Sequence, residues 1–160
     1  MRSVVVAAWA AGVLSSLAAG AENWPAWRGP RATGSSSETG LPATWSESHN
    51  VVWKLPVPGV SGSTPIVWEG FVFVNVAQDD ELFLWAVDAA AGERLWQRLL
   101  HDRNRQERKQ DMSSPSPVTD GEHVWALTGT GVLKSFDFAG NERWRFDLQG
   151  RFGRFGMYRG

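Results

Sequence analysis

From residue 63 to residue 148 the chain alternates short apolar runs with breaks of turn composition. The first set is STPIVW (63–68), FVFVNVA (71–77), LFLWAVD (82–88) and RLWQRLL (94–100), broken by EG, QDDE and AAAG. The second is PSPVT, HVWALT, VLKSFD and ERWRFDL, broken by DG, GTG and AGN. Runs of this length bounded by Gly, Asp and Asn predict β-strands joined by tight turns. Asp-Gly between two apolar runs is a strong hairpin signal. The inner runs are apolar at nearly every position, so both faces of each sheet should be covered.

The stretch AVDAAAGERLWQ (86–97) is ambiguous taken alone, because alanine, glutamate, arginine and leucine favour helix. Self-similarity decides it. STPIVWEGFVFV (63–74) aligns with SPSPVTDGEHVWA (114–126), with Pro65 over Pro117, Val72 over Val124 and Phe73 over Trp125. AVDAAAGERLW (86–96) aligns with SFDFAGNERW (135–144), placing Asp88 on Asp137, Gly92 on Gly140 and Trp96 on Trp144, with one residue fewer in the second turn. The counterpart contains Gly-Asn and makes a poor helix. Both copies are therefore read as strand, turn, strand. The repeat is about 50 residues long, within the range of propeller blades.

At these residues the chain resembles the quinoprotein-like β-propellers, or PQQ-repeat proteins. Their recurring segment, Ala-x-Asp-x-x-x-Gly-x-x-x-Trp, is matched by Ala86, Asp88, Gly92 and Trp96, and in the second copy by Asp137, Gly140 and Trp144, with Ser135 in place of the alanine. The resemblance implies that Trp96 and Trp144 are structural: each docks on the neighbouring blade through ring stacking and an indole N–H bond to a carbonyl. NVVWKLPVPG (50–59) looks like an isolated outer strand, with Trp53 in the place of Trp96 and Trp144. In a propeller such a strand completes the last blade. NWPAWRGPRATG (23–34) resembles the opening of exported members of the family and reads as an irregular strap of tryptophans and prolines. An aromatic ligand platform around Trp24 and Trp27 is the functional alternative.

The expected fold is all-β: a partial β-propeller of four-stranded antiparallel blades, about two blades plus a closing outer strand. The expected layout is a signal peptide at 1–21, a strap at 22–50 and an incomplete propeller at 51–160. The propeller divides into a closing strand at 51–57, blades at 63–100 and 114–148, and a tail at 149–160. Family propellers have about seven or eight blades, so the sequence is expected to be partial, and its missing partners include further blades. Unpaired, tryptophan-rich sheet faces would make residues 22–160 poorly soluble or oligomeric when expressed alone.

Composition sharpens this picture. The N-terminus, MRSVVVAAWAAGVLSSLAAGA, has one positive charge, an apolar core and small residues at Ala19 and Ala21, the pattern of an export signal cleaved before Glu22. A membrane anchor is the alternative, but the apolar run is short for a bilayer. Export to the periplasm or beyond is expected. Without Arg2 the chain has 15 basic and 17 acidic residues, the 16 basic residues of the full sequence less one. Such a balance gives no nucleic-acid footprint. There is no cysteine, which excludes disulfides, thiolate metal sites and a lipidated N-terminal cysteine. Nine of the ten tryptophans lie after residue 21, so repeated packing niches are expected.

Candidate chemistry is sparse. His49, His101 and His123 have no metal-ligand spacing. QDDE (78–81) lacks the alternation of a calcium loop. HDRNRQERKQDM (101–112) reads as a solvated link between blades, although propellers often carry functional loops there. TGTG (128–131) precedes no helix, which a phosphate loop requires. No catalytic, cofactor-binding or metal-binding residue is expected. The leading expectation is a non-enzymatic, exported propeller that binds other proteins of the cell envelope. The alternatives are part of a PQQ-dependent alcohol or sugar dehydrogenase, which would bring PQQ and calcium, and a propeller that binds carbohydrate or peptide. The resemblance alone does not imply a bound quinone, since the repeat belongs to the scaffold.

Overall fold

The computed structural model describes residues 22–105 and 111–155. The expected signal peptide, part of the 101–112 run and the last five residues lie outside the described residues.

Two four-stranded antiparallel sheets follow one another in the chain. The first consists of β1 (Ile66–Trp68), β2 (Phe71–Gln78), β3 (Glu81–Asp88) and β4 (Arg94–His101), paired in sequence order. The second consists of β5 (Val118–Thr119), β6 (His123–Leu127), β7 (Val132–Asp137) and β8 (Glu142–Asp147), again in order. Each expected run forms a strand, but β1 and β5 start later than the apolar pattern does. Pro65, Pro115 and Pro117 have no N–H to give a ladder, which trims both edges. The hairpin turns use residues that accept positive φ. Glu69 and Gly70 sit at +43° and +86° between β1 and β2, the double left-handed turn that suits twisted strands.

The core lies between the sheets. Leu82, Leu84 and Ala86 of β3 pack with Ile66, Phe73, Val124, Ala126 and Phe136. The alternate residues of the same strand, Phe83, Trp85 and Val87, face the other way and join Val72, Val74 and Val76. That second face is covered by Trp53 and Leu55. An unbroken apolar run on β3 thus reflects burial on both sides of its sheet.

Residues 51–57 pair with no backbone among the described residues; the segment lies on the first sheet by its side chains, and the ladder expected of a closing strand belongs to a further blade. A strand exists only as a pair, so apolar sequence alone cannot make one. The tail follows directly on β8. It opens with a short helix, α1 (Leu148–Phe152), capped by Asp147, whose carboxylate accepts from Gly150 N at 2.8 Å.

The strap is tied to the free edges of both sheets. Trp24 exchanges two backbone bonds with Val67, of 2.7 and 3.0 Å, and the carbonyl of Pro25 accepts from Thr119 N at 2.9 Å. One short segment therefore covers β1 and β5 together, where open edges would otherwise invite association. Outside this contact the strap is irregular and exposed, with Trp27 and Trp45 in solvent.

Candidate functional site

The residues singled out in the sequence gather at the joint between the sheets and on either side of it. In the hairpin from β3 to β4, Asp88 turns its carboxylate onto the loop, accepting from Ala90 N at 2.8 Å and Ala91 N at 2.7 Å. Gly92 follows at φ +71°. Ala86 is fully buried and opposes Trp96 across the ladder, next to a register shift. In the second copy Asp137 accepts from the backbone and side-chain nitrogens of Asn141, each at 2.8 Å, and pairs with Arg143 at 2.9 Å. These partners, the Asn141 side chain foremost, hold the Asp137 carboxyl below the usual carboxylate range.

Each turn receives a tryptophan from the preceding segment. The ring of Trp96 lies against Gly140, its indole N–H donates to the Phe138 carbonyl at 2.9 Å, and Arg98 donates to the Gly140 carbonyl at 2.6 Å. Trp53 meets Gly92 in the same way and donates to the Ala89 carbonyl at 2.9 Å. In both cases a Cβ on the glycine would collide with or crowd the indole. A close approach and a left-handed φ therefore both demand glycine at these two places. Trp144, at the matching position of β8, is 45% exposed and meets no glycine among the described residues.

A second set of contacts had no expectation attached to it. Asn75, fully buried on β2, donates from Nδ2 to the Pro115 carbonyl at 2.7 Å and the Leu127 carbonyl at 3.0 Å, so one side chain bridges both sheets. Beside it, Ser113 Oγ lies 2.7 Å from Ser61 Oγ and 2.6 Å from the buried Asp111 carboxylate. Thr64 N donates to Ser116 Oγ at 2.9 Å. The pairs Ser61–Ser113 and Thr64–Ser116 are each 52 residues apart, so equivalent positions of the repeat touch. Contact between equivalents occurs where two rotated copies converge. The inner edge is thus a polar seam, and the tryptophans span the wider gap further out.

A third bridge lies on the outer side. Lys134 is nearly buried, donating to the Leu99 carbonyl at 3.0 Å and to Glu142 at 2.9 Å. It floors a cleft of about 480 Å³ between β4 and the β7–β8 pair. Its equivalent in the first sheet is Trp85, whose indole N–H is buried without a partner among the described residues.

A family profile described as "Outer membrane protein assembly factor BamB", built on the PQQ repeat, matches residues 7–154. The chain belongs to this family. Among solved structures it is similar to BamB from Moraxella catarrhalis, with 22% identity over 61% of this chain and 31% of that one, and a TM-score of 0.41. It is also similar to the quinohemoprotein alcohol dehydrogenase ADHIIG from Pseudomonas putida HK5, with 18% identity over 59% of this chain and 21% of that one, and a TM-score of 0.30. The chain therefore spans about a third and a fifth of those two proteins. No curated protein is detectably similar to it. The family and the two sheets together make this an all-β, PQQ-repeat propeller fold. No described helix is long and apolar enough to cross a membrane.

Proposed function

We propose that the chain contributes to a non-enzymatic, exported propeller scaffold of the cell envelope that binds other envelope proteins. The match to the outer-membrane assembly family over residues 7–154 carries this reading. The chemistry of the joint supports it. Asn75, Ser61, Ser113 and Lys134 are engaged with backbone carbonyls and neighbouring side chains, so their role is to hold sheets together. Within this reading Trp53 and Trp96 act as blade clamps, with Ala86, Asp88, Gly92, Asp137 and Gly140 shaping the turns that receive them. Trp144 is the clamp offered to a further element.

The competing dehydrogenase reading would require calcium and a quinone, and the residues described here do not fit calcium. That ion takes six to eight oxygens, mostly from clustered carboxylates. Asp111 is a buried carboxylate, but its Oδ1 is engaged by Ser113 N and Oγ, and no group of three His, Cys, Asp or Glu residues gathers among the described residues.

Two measurements on the purified chain test the proposal. Binding to immobilised outer-membrane assembly proteins should saturate. Dye-linked alcohol oxidation with added PQQ and calcium should stay at the protein-free rate. Quinone- and calcium-dependent turnover abolished by Asp111→Asn would overturn it.

A further inference from the structure

The strap that covers β1 and β5 is anchored at Glu22. Its backbone nitrogen donates to Glu38 Oε1 at 2.7 Å. Its carboxylate accepts from Ser36 Oγ and from Ser37 N and Oγ, the latter two at 3.1 Å, and pairs with Arg31 at 3.3 Å. One residue is thus held by its nitrogen and by its side chain, which is 17% exposed although most of the strap lies in solvent. The residues that follow carry the docking itself. Asn23 Oδ1 accepts from Glu69 N at 2.8 Å, Trp24 pairs with Val67, and the Pro25 carbonyl accepts from Thr119 N.

The sequence gives the anchoring nitrogen a special place. Small residues at Ala19 and Ala21 predict cleavage before Glu22. In the uncut chain that nitrogen belongs to a peptide bond, with one hydrogen and no charge. Hydrolysis of the Ala21–Glu22 bond by a leader-removing peptidase consumes one water. Ala21 keeps the new carboxylate, and Glu22 receives an amino group that takes up a proton near neutral pH. The donor facing Glu38 then changes from a neutral amide to an ammonium with three N–H groups. The charged groups tied to this corner among the described residues are the Glu22 and Glu38 carboxylates and the Arg31 guanidinium. Two negative charges against one positive favour a cation there. A hydrogen bond between charged partners is roughly twice as strong as a neutral one.

We infer that cleavage before Glu22 locks the strap: the ammonium it creates pairs with Glu38 and fastens Glu22–Pro25 onto both sheets. Closure of the β1 and β5 edges is thereby coupled to maturation. Edges that would invite association are sealed most firmly in the form that has lost its leader. The inference rests on the exported reading of the chain and adds to it a built-in consequence of processing.

The test uses the full chain expressed in an export-competent bacterium and purified from the periplasm. N-terminal sequencing should begin Glu-Asn-Trp. Amide hydrogen exchange at Trp24, Val67 and Thr119 at pH 6.5 then reads the docking. Acetylating the Glu22 amino group, verified by mass spectrometry, should lower protection at these three amides about fivefold, the difference between a charged and a neutral hydrogen bond. Glu38→Gln, which keeps the shape, should lower it by a similar factor, and acetylation should add nothing in that variant. Amides of β3, within the first sheet, serve as the reference that should not move. The inference is overturned if the mature chain starts elsewhere or keeps its leader. It is equally overturned if acetylation leaves protection unchanged, or lowers it as much in Glu38→Gln as in the native chain. Failure to bind outer-membrane assembly proteins would refute the scaffold reading alone, since none of these readouts involves a partner.

Discussion

Asn75 is the residue whose replacement should cost the fold most for its size. It is fully buried and donates two bonds across the seam, to the Pro115 and Leu127 carbonyls. Asn75→Ala removes both bonds, at about 1 kcal/mol net each, and strands two carbonyls that cost about 1–3 kcal/mol apiece when unpaired. Against this, the Oδ1 of Asn75 already lacks a partner among the described residues, so its removal returns part of the loss. The expected net destabilisation is about 2–4 kcal/mol, a large share of the 5–15 kcal/mol typical of a folded domain. Asn75→Asp keeps the shape and puts a carboxyl against the same two carbonyls. Only the protonated acid can donate there, so the folded state raises its pKa above the usual value of about 3.9. A raised folded pKa means that the native state binds more protons than the unfolded one, and stability is lost as pH rises above that value. Asn75→Asp should therefore be less stable than Asn75→Ala at pH 7, and the gap should shrink towards pH 4. Urea unfolding followed by far-UV circular dichroism at the two pH values measures both effects. A loss below about 0.5 kcal/mol for Asn75→Ala, or a pH-independent gap, would refute the seam as the source of stability.

Three further outcomes follow from the same geometry. Gly140→Ala, at φ +82° with a Cβ 3.0 Å from the Trp96 ring, should cost about 1–2 kcal/mol in backbone strain plus the weakened indole contact, whereas Gly70→Ala, at +86° with open space around it, should show the strain alone in the same urea assay. Trp96→Ala should destabilise by about 2–4 kcal/mol, at or under the lower end of the range for a fully buried tryptophan, while Trp144→Ala should cost under about 1 kcal/mol because its ring is half-exposed and makes no clamp within the described residues; equal losses would show that the two are not distinguished by docking. The Asp137 carboxyl, held low first by Asn141 and then by Arg143, should titrate below the usual carboxylate range by side-chain NMR and move up in Asn141→Ala. A depressed folded pKa contributes stability above the unfolded value and loses it as pH falls through the folded one, so Asp137→Asn should flatten the acid limb of the stability profile.

The strands were legible because their signals are local. Gly70, Gly121 and the Asp88–Gly92 turn break apolar runs where the backbone turns, and the second copy resolved the one helix-like stretch. The contacts of Trp53 with Gly92 and of Trp96 with Gly140 fall at positions that the repeat aligns, although nothing nearby in sequence marks those glycines. In segment 51–57 a matching tryptophan shows where a ring goes and not whether a backbone lies beside it. Helix α1 escaped because LQGRF has a central glycine and too few residues to show a period; its Asp147 cap is apparent only once β8 has placed it. The seam escaped for a different reason. Ser61, Ser113 and Ser116 sit among prolines and glycines, where serine is ordinary turn composition. The usable signal was the spacing: Ser61 and Ser113 share one repeat offset, as do Thr64 and Ser116.

The two kinds of contact between the sheets divide the work by distance from the line on which they converge. At the inner edge, partners are equivalents 52 residues apart, joined by serine and asparagine at hydrogen-bond length. Further out the indole of Trp96 meets a carbonyl 42 residues away, on the turn of the next hairpin. Short side chains at one end and a long ring at the other make a wedge, and a wedge fixes an angle. Shortening the outer member, as in Trp96→Ala, lets the sheets close up or splay without breaking the seam. Removing the inner one, as in Asn75→Ala, frees the convergence point itself. An assembly made by repeating this joint multiplies any angular error at every step, which is a physical reason to spend both a polar seam and a tryptophan on one interface.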